Sequence, residues 1–185
     1  MKLCNFFVGD EIHVGAETSR GVVDVTAAGV GSDMNGVIAN ADIALPLIAA
    51  ICADETLPVV ERPRFANVTV PQKLACVGLN YKSHAEETKG VPPEQPVIFS
   101  KFSDELCPDG TEVALPKWLR CFDYESELVI VIGRHCWNVS EEEAMDHVFG
   151  YTVGNDLSAR DCQFISNQWL IGKSLPDFSP AGPFI

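Results

Sequence analysis

A mostly β fold with a few helices, of the α+β class and in two parts, is what this 185-residue sequence predicts. Three observations carry that expectation. Short apolar runs alternate with glycine, proline and polar residues, and one run, Leu128 to Ile132, is unbroken. The stretch Leu57-Pro58-Val59-Val60-Glu61-Arg62-Pro63-Arg64 carries two prolines and divides a small N-terminal unit, residues 1–70, from a larger one, residues 71–185.

The elements follow in chain order. Lys2 to Val8 and Gly21 to Val25 read as short strands, and the apolar spacing of Ala41 to Cys52 suits a helix. Gly29-Val30-Gly31-Ser32 is a turn and not a phosphate loop, because no Lys-Ser/Thr pair follows it. Leu74 to Gly78 reads as a strand running into the polar segment Leu79 to Glu87; if that segment is helical, His84 and Glu87 stand at i and i+3 and can touch. Phe122 to Gly133 reads as one long strand. Ser140-Glu141-Glu142-Glu143 is a capping-box start for a helix carrying Ala144, Val148 and Phe149, and its acids are explained by the helix N-terminus. Gly150 to Asn155 is the last expected strand.

Composition sets the bounds on function. The chain is 46% hydrophobic with a mean hydropathy of +0.10, which is the profile of a globular protein. No run approaches the ~18 apolar residues of a membrane span, and Met1-Lys2-Leu3-Cys4-Asn5 lacks the apolar core of a signal peptide, so the expected location is the cytoplasm with no membrane partner. A formal net charge of −13 argues against a nucleic-acid partner. It also means that an anionic substrate needs a metal or locally placed cations to overcome the global field. Seven cysteines without a C-x-x-C pair are expected to be reduced thiols, and the sequons at Asn67 and Asn138 carry no weight without export.

Glu125 and Glu127 are the most informative residues. Along a strand, positions i and i+2 face the same way and lie roughly 6 to 7 Å apart. Two carboxylates then converge at the mouth of an apolar strand. That is costly unless a cation or a shared proton offsets the repulsion, and a hard divalent metal is the natural candidate.

From about Leu74 onward several motifs recur in a fixed order: Val77-Gly78-Leu79-Asn80-Tyr81 with His84, Tyr124-Glu125-Ser126-Glu127-Leu128, Gly150-Tyr151-Thr152, Asn155 to Asp161 with Gln163, Gly172-Lys173-Ser174, and Gly182-Pro183. Together they resemble the fumarylacetoacetate hydrolase family, in particular its smaller, three-carboxylate members. The resemblance implies a mixed β-roll that continues beyond Ile185 with further strands and a Gly-Thr-Pro loop, so that the chain holds the roll's N-terminal portion. It implies Glu125, Glu127 and Asp156 as ligands of Mg²⁺ or Mn²⁺, a donor set of hard oxygens that suits those ions. His84 and Glu87 would be the water-activating pair, Lys173 a catalytic cation, and Arg160, Gln163 and Tyr81 substrate-binding groups, with Lys101 at the substrate entrance or in a structural role. The expected function is metal-dependent hydrolysis of a C–C bond in a small 2-oxo acid of the acylpyruvate or fumarylpyruvate kind, in a homodimer. Isomerisation or decarboxylation of intermediates of aromatic degradation is the alternative, and a non-catalytic metal- or ligand-binding module is a third.

Overall fold

A computed structural model of the chain describes residues 1–83 and 93–185. The first sheet is antiparallel in the order β1 (Leu3–Val8), β2 (Glu11–Thr18), β3 (Gly21–Asp24), β4 (Val59–Val60). Val8 pairs with Glu11 across a two-residue turn, and Gly9 there takes a φ of 62°, a left-handed value that glycine adopts without a Cβ clash. The Gly29 region is a turn, as expected, and leads to Asp33, whose carboxylate caps α1 (Met34–Ala39) by accepting from Gly36 N at 2.7 Å. α2 (Ala41–Cys52) coincides with the expected helix.

Both faces of this sheet are covered. Leu3, Val14, Ala16 and Val23 pack with Met34, Val37 and Ile48 of the two helices, and Val131, Phe149 and Ile185 join from later in the chain. On the other face Cys4, Phe6 and Val22 meet Val60, Phe65 and Phe184. Leu3 and Ile185 exchange backbone hydrogen bonds of 2.9 and 2.8 Å, so the last residue extends the edge of the first strand. Ile48, fully buried, is the centre of the helix layer. Ile48→Ala is expected to lower the unfolding free energy by on the order of 3 kcal/mol, measured by urea denaturation. Ile43→Ala, on a side chain that is 75% exposed, is the matched control and should change it by less than about 0.5 kcal/mol.

His13 on β2 donates from Nδ1 to Asp24 Oδ2 at 2.8 Å, and its Nε2 lies 3.6 Å from Glu11. The Asp24 bond, partly opposed by burial, raises the His13 pKa above its ordinary 6.5. A raised histidine contributes stability that is fully present below about pH 6.5 and fades as pH rises through the higher folded-state value. The Tm of the protein should therefore fall as pH rises above about 6.5, by an increment that His13→Gln abolishes.

The rest of the described chain forms strand pairs. β5 (Leu74–Gly78), coincident with its expectation, pairs with β6 (Val97–Lys101). β7 (Leu106–Cys107) runs parallel to β12 (Ser179–Pro180), and β8 (Phe122–Asp123) pairs with β11 (Ser158–Ala159). β9 (Ser126–Ile132) pairs antiparallel with β10 (Val148–Asn155). The expected long strand from Phe122 is thus broken at Tyr124-Glu125, between β8 and β9. The expected helix after Ser140 is only one turn, α3 (Glu141–Ala144), continued by a 3₁₀ turn at Met145–His147. Val148 and Phe149 open β10 instead, since Phe149 packs against the first core and a longer helix would carry it away. Two short helices, α4 (Arg160–Gln163) and α5 (Leu170–Lys173), follow β11. A small core of Leu119, Ala159, Cys162 and Phe178 lies beneath them.

Candidate active site

The open end of the β9–β10 hairpin places the acids. Ser126 faces Asn155 in the register, and the chain continues one step on each side, to Glu125 and Asp156. Asp156 N donates to Glu125 O at 2.9 Å and Glu125 N donates to Asn155 Oδ1 at 3.0 Å, which pins the two acidic residues side by side. Glu127 stands opposite Gly154, a position with no side chain to compete for the space.

Three cations answer these acids. Lys173 Nζ donates to Glu125 Oε2 and to Asp156 Oδ2, each at 2.7 Å. Lys101 Nζ, at the end of β6, donates to Asp156 Oδ1 at 2.8 Å and to Phe178 O at 2.6 Å. Arg160 reaches Glu125 Oε1 and Asp123 Oδ2, each at 2.7 Å, and Gln163 Oε1 at 2.7 Å. Every carboxylate oxygen of Glu125 and Asp156 therefore accepts from a cation, in a chain that runs Asp123, Arg160, Glu125, Lys173, Asp156, Lys101. Both lysine side chains are almost wholly buried, at 3% and 2% exposed, so each charge depends on its partners.

The electrostatics follow from this chain. Burial works to raise the Asp156 pKa, and the Lys101 and Lys173 ammonium groups outweigh it, leaving the carboxyl below its usual value. Burial likewise opposes the Arg160 charge, and the bonds to Asp123 and Glu125 overcome it. Glu127 goes the other way, raised first by burial and then by the charge of Glu125. Among the described residues it makes no ion pair. Cys76 on β5, next to these groups, has its thiol pushed up to about 11, by burial first and then by the Asp156 charge, and stays neutral.

Lys173 owes its position to Gly172. A Cβ on Gly172 would lie 2.5 Å from Gln163 N and 2.6 Å from Gln163 Cα, backbone atoms that cannot turn aside. Only glycine lets α5 pack this closely on α4. Gly172→Ala should separate the two helices, displace the Lys173 ammonium and lower the unfolding free energy by about 1 to 3 kcal/mol, the cost of overpacking a close contact; urea denaturation checks it. The Lys173 ammonium also stands 5.4 Å from the centre of the Phe99 ring, a further cation contact.

Of the residues singled out in the sequence, Glu125, Asp156, Lys173, Arg160 and Gln163 meet in one network, Glu127 lies beside it, and the Tyr81 hydroxyl oxygen accepts from Leu128 N at 3.3 Å. Gln163 is buried and spends its side-chain oxygen on Arg160. His84 and Glu87 lie outside the described residues. Lys101, left open in the sequence between substrate entrance and structure, is 4% exposed and bonded to Asp156, inside the network. Asp123 was missed, although its two-residue spacing from Glu125 could have found it.

The donor set fits a hard divalent cation in type: three carboxylates from one wall, two already converging on a positive group. In the present arrangement that group is the Lys173 ammonium, and among the described residues no three acid, histidine or cysteine side chains are gathered closely enough to hold a metal ion. No helix among the described residues is long and apolar enough to cross a membrane.

Comparison with known proteins places this geometry. A family profile described as fumarylacetoacetate (FAA) hydrolase C-terminal matches residues 73–185. The human protein named oxaloacetate tautomerase FAHD2A, mitochondrial, is 37% identical over 180 residues, covering 92% of this chain and 57% of the relative. A fumarylacetoacetate hydrolase from Exiguobacterium antarcticum superposes with a TM-score of 0.82 at 30% identity, over 100% of this chain and 66% of that one. A maleylpyruvate hydrolase from Sphingobium sp. SYK-6, in complex with manganese (II) ion and pyruvate, does so with a TM-score of 0.80 at 26% identity, over 100% of this chain and 66% of that one. The chain spans between 38% and 57% of the length of such curated relatives. The likeness runs over the whole of this chain, and its mixed α and β fold is the one those structures share.

Proposed function

We propose, from the premise that this chain belongs to the fumarylacetoacetate hydrolase family, that it serves an enzyme which interconverts the enol and keto forms of a small 2-oxo acid with the help of a divalent metal. The observation that carries the reading is the buried Lys173 ammonium held between Glu125 and Asp156, an arrangement in which negative charge is gathered and answered at one point. The human relative named an oxaloacetate tautomerase, alike over 92% of the chain, supports a short 2-oxo dicarboxylate as the substrate.

Glu125, Glu127 and Asp156 would hold the metal. When bound, Mg²⁺ or Mn²⁺ supplies Lewis-acid stabilisation of negative charge on the 2-oxo group. The protein's own residues do the rest. Glu125 and Asp156 keep Lys173 protonated and aimed, so that its ammonium donates to the oxygen on which charge develops. Lys101 and Arg160 hold the two acids from behind, so that Lys173 can leave one of them for the substrate without leaving it unpaired. Phe99 stands against the ammonium, whose side chain is almost wholly buried and so kept from water. The proton on carbon is assigned to His84 with Glu87 orienting it, on the motif alone.

A second reading is hydrolysis of the C–C bond of an acylpyruvate, favoured by the His84 and Glu87 pair and by the likeness to a maleylpyruvate hydrolase. The two separate in one experiment. The ultraviolet decay of enol-oxaloacetate and the cleavage of acylpyruvates are followed with Mg²⁺, with Mn²⁺ and after chelation. Enol decay accelerated by at least about 100-fold and abolished by chelation is the expected result. Cleavage without enol decay would replace the first reading by the second, and neither activity in a metal-binding protein would overturn both.

A further inference from the structure

A cleft of about 330 Å³ lies between β1, the start of α1 and the segment from Ala66 to Val70. Phe7, Met34 and Val70 give it apolar walls, and Asn5, Asp33 and Asn67 give it polar ones. It shares no residue with the candidate active site. Its polar residues all precede residue 73, where the match to the family profile begins.

Hydrogen bonds hold the walls in place. Asn35 Nδ2 donates to Val70 O at 2.8 Å, and Asn35 Oδ1 accepts from Val70 N at 3.2 Å and from Thr69 Oγ1 at 2.6 Å, which ties the 66–70 segment to α1. Asn67 Nδ2 donates to Leu106 O at 3.1 Å and so anchors the same segment to β7. The cleft is therefore formed in advance, as sites for small molecules usually are.

The polar groups share one character, since what they leave open is acceptors. Asn5 is only 7% exposed, and its Nδ2 donates to Asn67 O at 2.9 Å. That carbonyl partner fixes which end of the amide is nitrogen, and Asn5 Oδ1 is left buried with no partner among the described residues. Asn67 is oriented in the same way by Leu106 O, and its buried Oδ1 is likewise unpartnered. Asp33 caps α1 through Oδ1 and makes no ion pair among the described residues. No lysine or arginine is among the lining residues; Arg64, which stands 4.0 Å from the centre of the Phe7 ring, is tied to Gly9 O at 3.1 Å. Amide oxygens withdrawn from water need a donor, and a carboxylate in the same cleft favours a donor that is positively charged.

We propose that this cleft binds a primary ammonium carried on a compact apolar body, the chemistry of an aromatic or branched aliphatic amine. An ammonium brings three donors and no acceptor. Asp33 answers its charge, Asn5 and Asn67 accept its remaining N–H groups, and the apolar body packs among Phe7, Met34 and Val70. A carboxylate ligand is disfavoured, because these three polar side chains offer it no free donor and the net charge of −13 repels it. The proposal does not rest on the proposed function.

The test titrates benzylamine, benzyl alcohol and benzoate into the wild-type chain, Asp33→Asn and Val70→Trp by isothermal calorimetry, with circular dichroism and the ligand-free Tm confirming the fold of each. Asparagine caps a helix about as well as aspartate, so Asp33→Asn keeps α1 and removes the charge. Val70 is 66% exposed, so a tryptophan there fills the cleft without entering the core. The expected result is one benzylamine per chain with a dissociation constant of about 1 mM or tighter, weakened by at least about 10-fold in Asp33→Asn and lost in Val70→Trp, with benzyl alcohol weaker and benzoate not bound. A folded wild-type chain that does not bind benzylamine would overturn the proposal. Equal affinity in wild type and Asp33→Asn, or benzoate bound as well as benzylamine, would overturn it too, since the cleft would then take any apolar ring. Binding retained in Val70→Trp would place the amine elsewhere on this acidic chain and overturn it as well.

Discussion

Replacing Lys173 by methionine will cost the metal-free protein on the order of 3 kcal/mol of stability and the proposed activity at least about 100-fold in kcat. Methionine nearly keeps the length of the side chain and removes its charge. Glu125 Oε2 and Asp156 Oδ2, both now accepting from the ammonium at 2.7 Å, would then face each other across the same gap. Their side chains are only 19% and 11% exposed, so water cannot screen the repulsion well. The two losses separate on adding Mg²⁺. A divalent ion answers the same acids and should restore most of the Tm of Lys173→Met, whereas kcat stays low because the donor to the developing charge is gone. Thermal unfolding with and without Mg²⁺, beside steady-state kinetics, checks both halves. A Tm that Mg²⁺ leaves unchanged would show that the ammonium and the metal do not share these acids.

The second large effect belongs to Asp156. Asp156→Asn keeps the shape of the side chain but leaves Lys101 and Lys173, two nearly fully buried ammonium groups, with one negative partner between them. Removing the shared partner of a buried charge costs more than the net worth of the pair, and the expected loss is on the order of 4 kcal/mol, with metal binding abolished. Lys101 suffers most, because its remaining bonds are to the carbonyl oxygens of Phe178 and Leu157. Pairing the change with Lys101→Met should recover part of the stability, since the uncompensated charge is then removed as well. Urea denaturation of the single and double variants measures the recovery. If the double variant is less stable than Asp156→Asn by the full cost of Lys101→Met alone, the two residues are not coupled.

Much of the candidate site was legible in the sequence because its chemistry is local. Glu125 and Glu127 lie two residues apart in one run, Arg160 and Gln163 three apart in another, and Lys173 follows a glycine whose purpose is visible once α5 meets α4. β5 and α2 were legible for a different reason: each is long enough to carry a period. β7, β8, β11 and β12 are two residues each and have no period to read; they exist because distant segments pair. β2 was not read although it is eight residues long, because Gly15 and the polar residues of Glu11–Thr18 blur its alternation. Val148 and Phe149 fit a helical spacing, and the packing of Phe149 into the first core overrode it.

By itself, then, the sequence determined the fold class and singled out most of the acids and cations of the candidate site, Asp123 excepted, because residue type and short spacing set charge and chemistry wherever the chain goes. Only the tertiary structure decided the pairing. Lys101 and Asp156 are 55 residues apart, Lys173 and Glu125 are 48 apart, and Tyr81 and Leu128 are 47 apart. Which carboxylate a buried ammonium meets, and which one is left without an ion pair among the described residues, depends on how β5, β6, β9 and the two short helices converge. That convergence is set by packing and strand register over distances that no local pattern encodes.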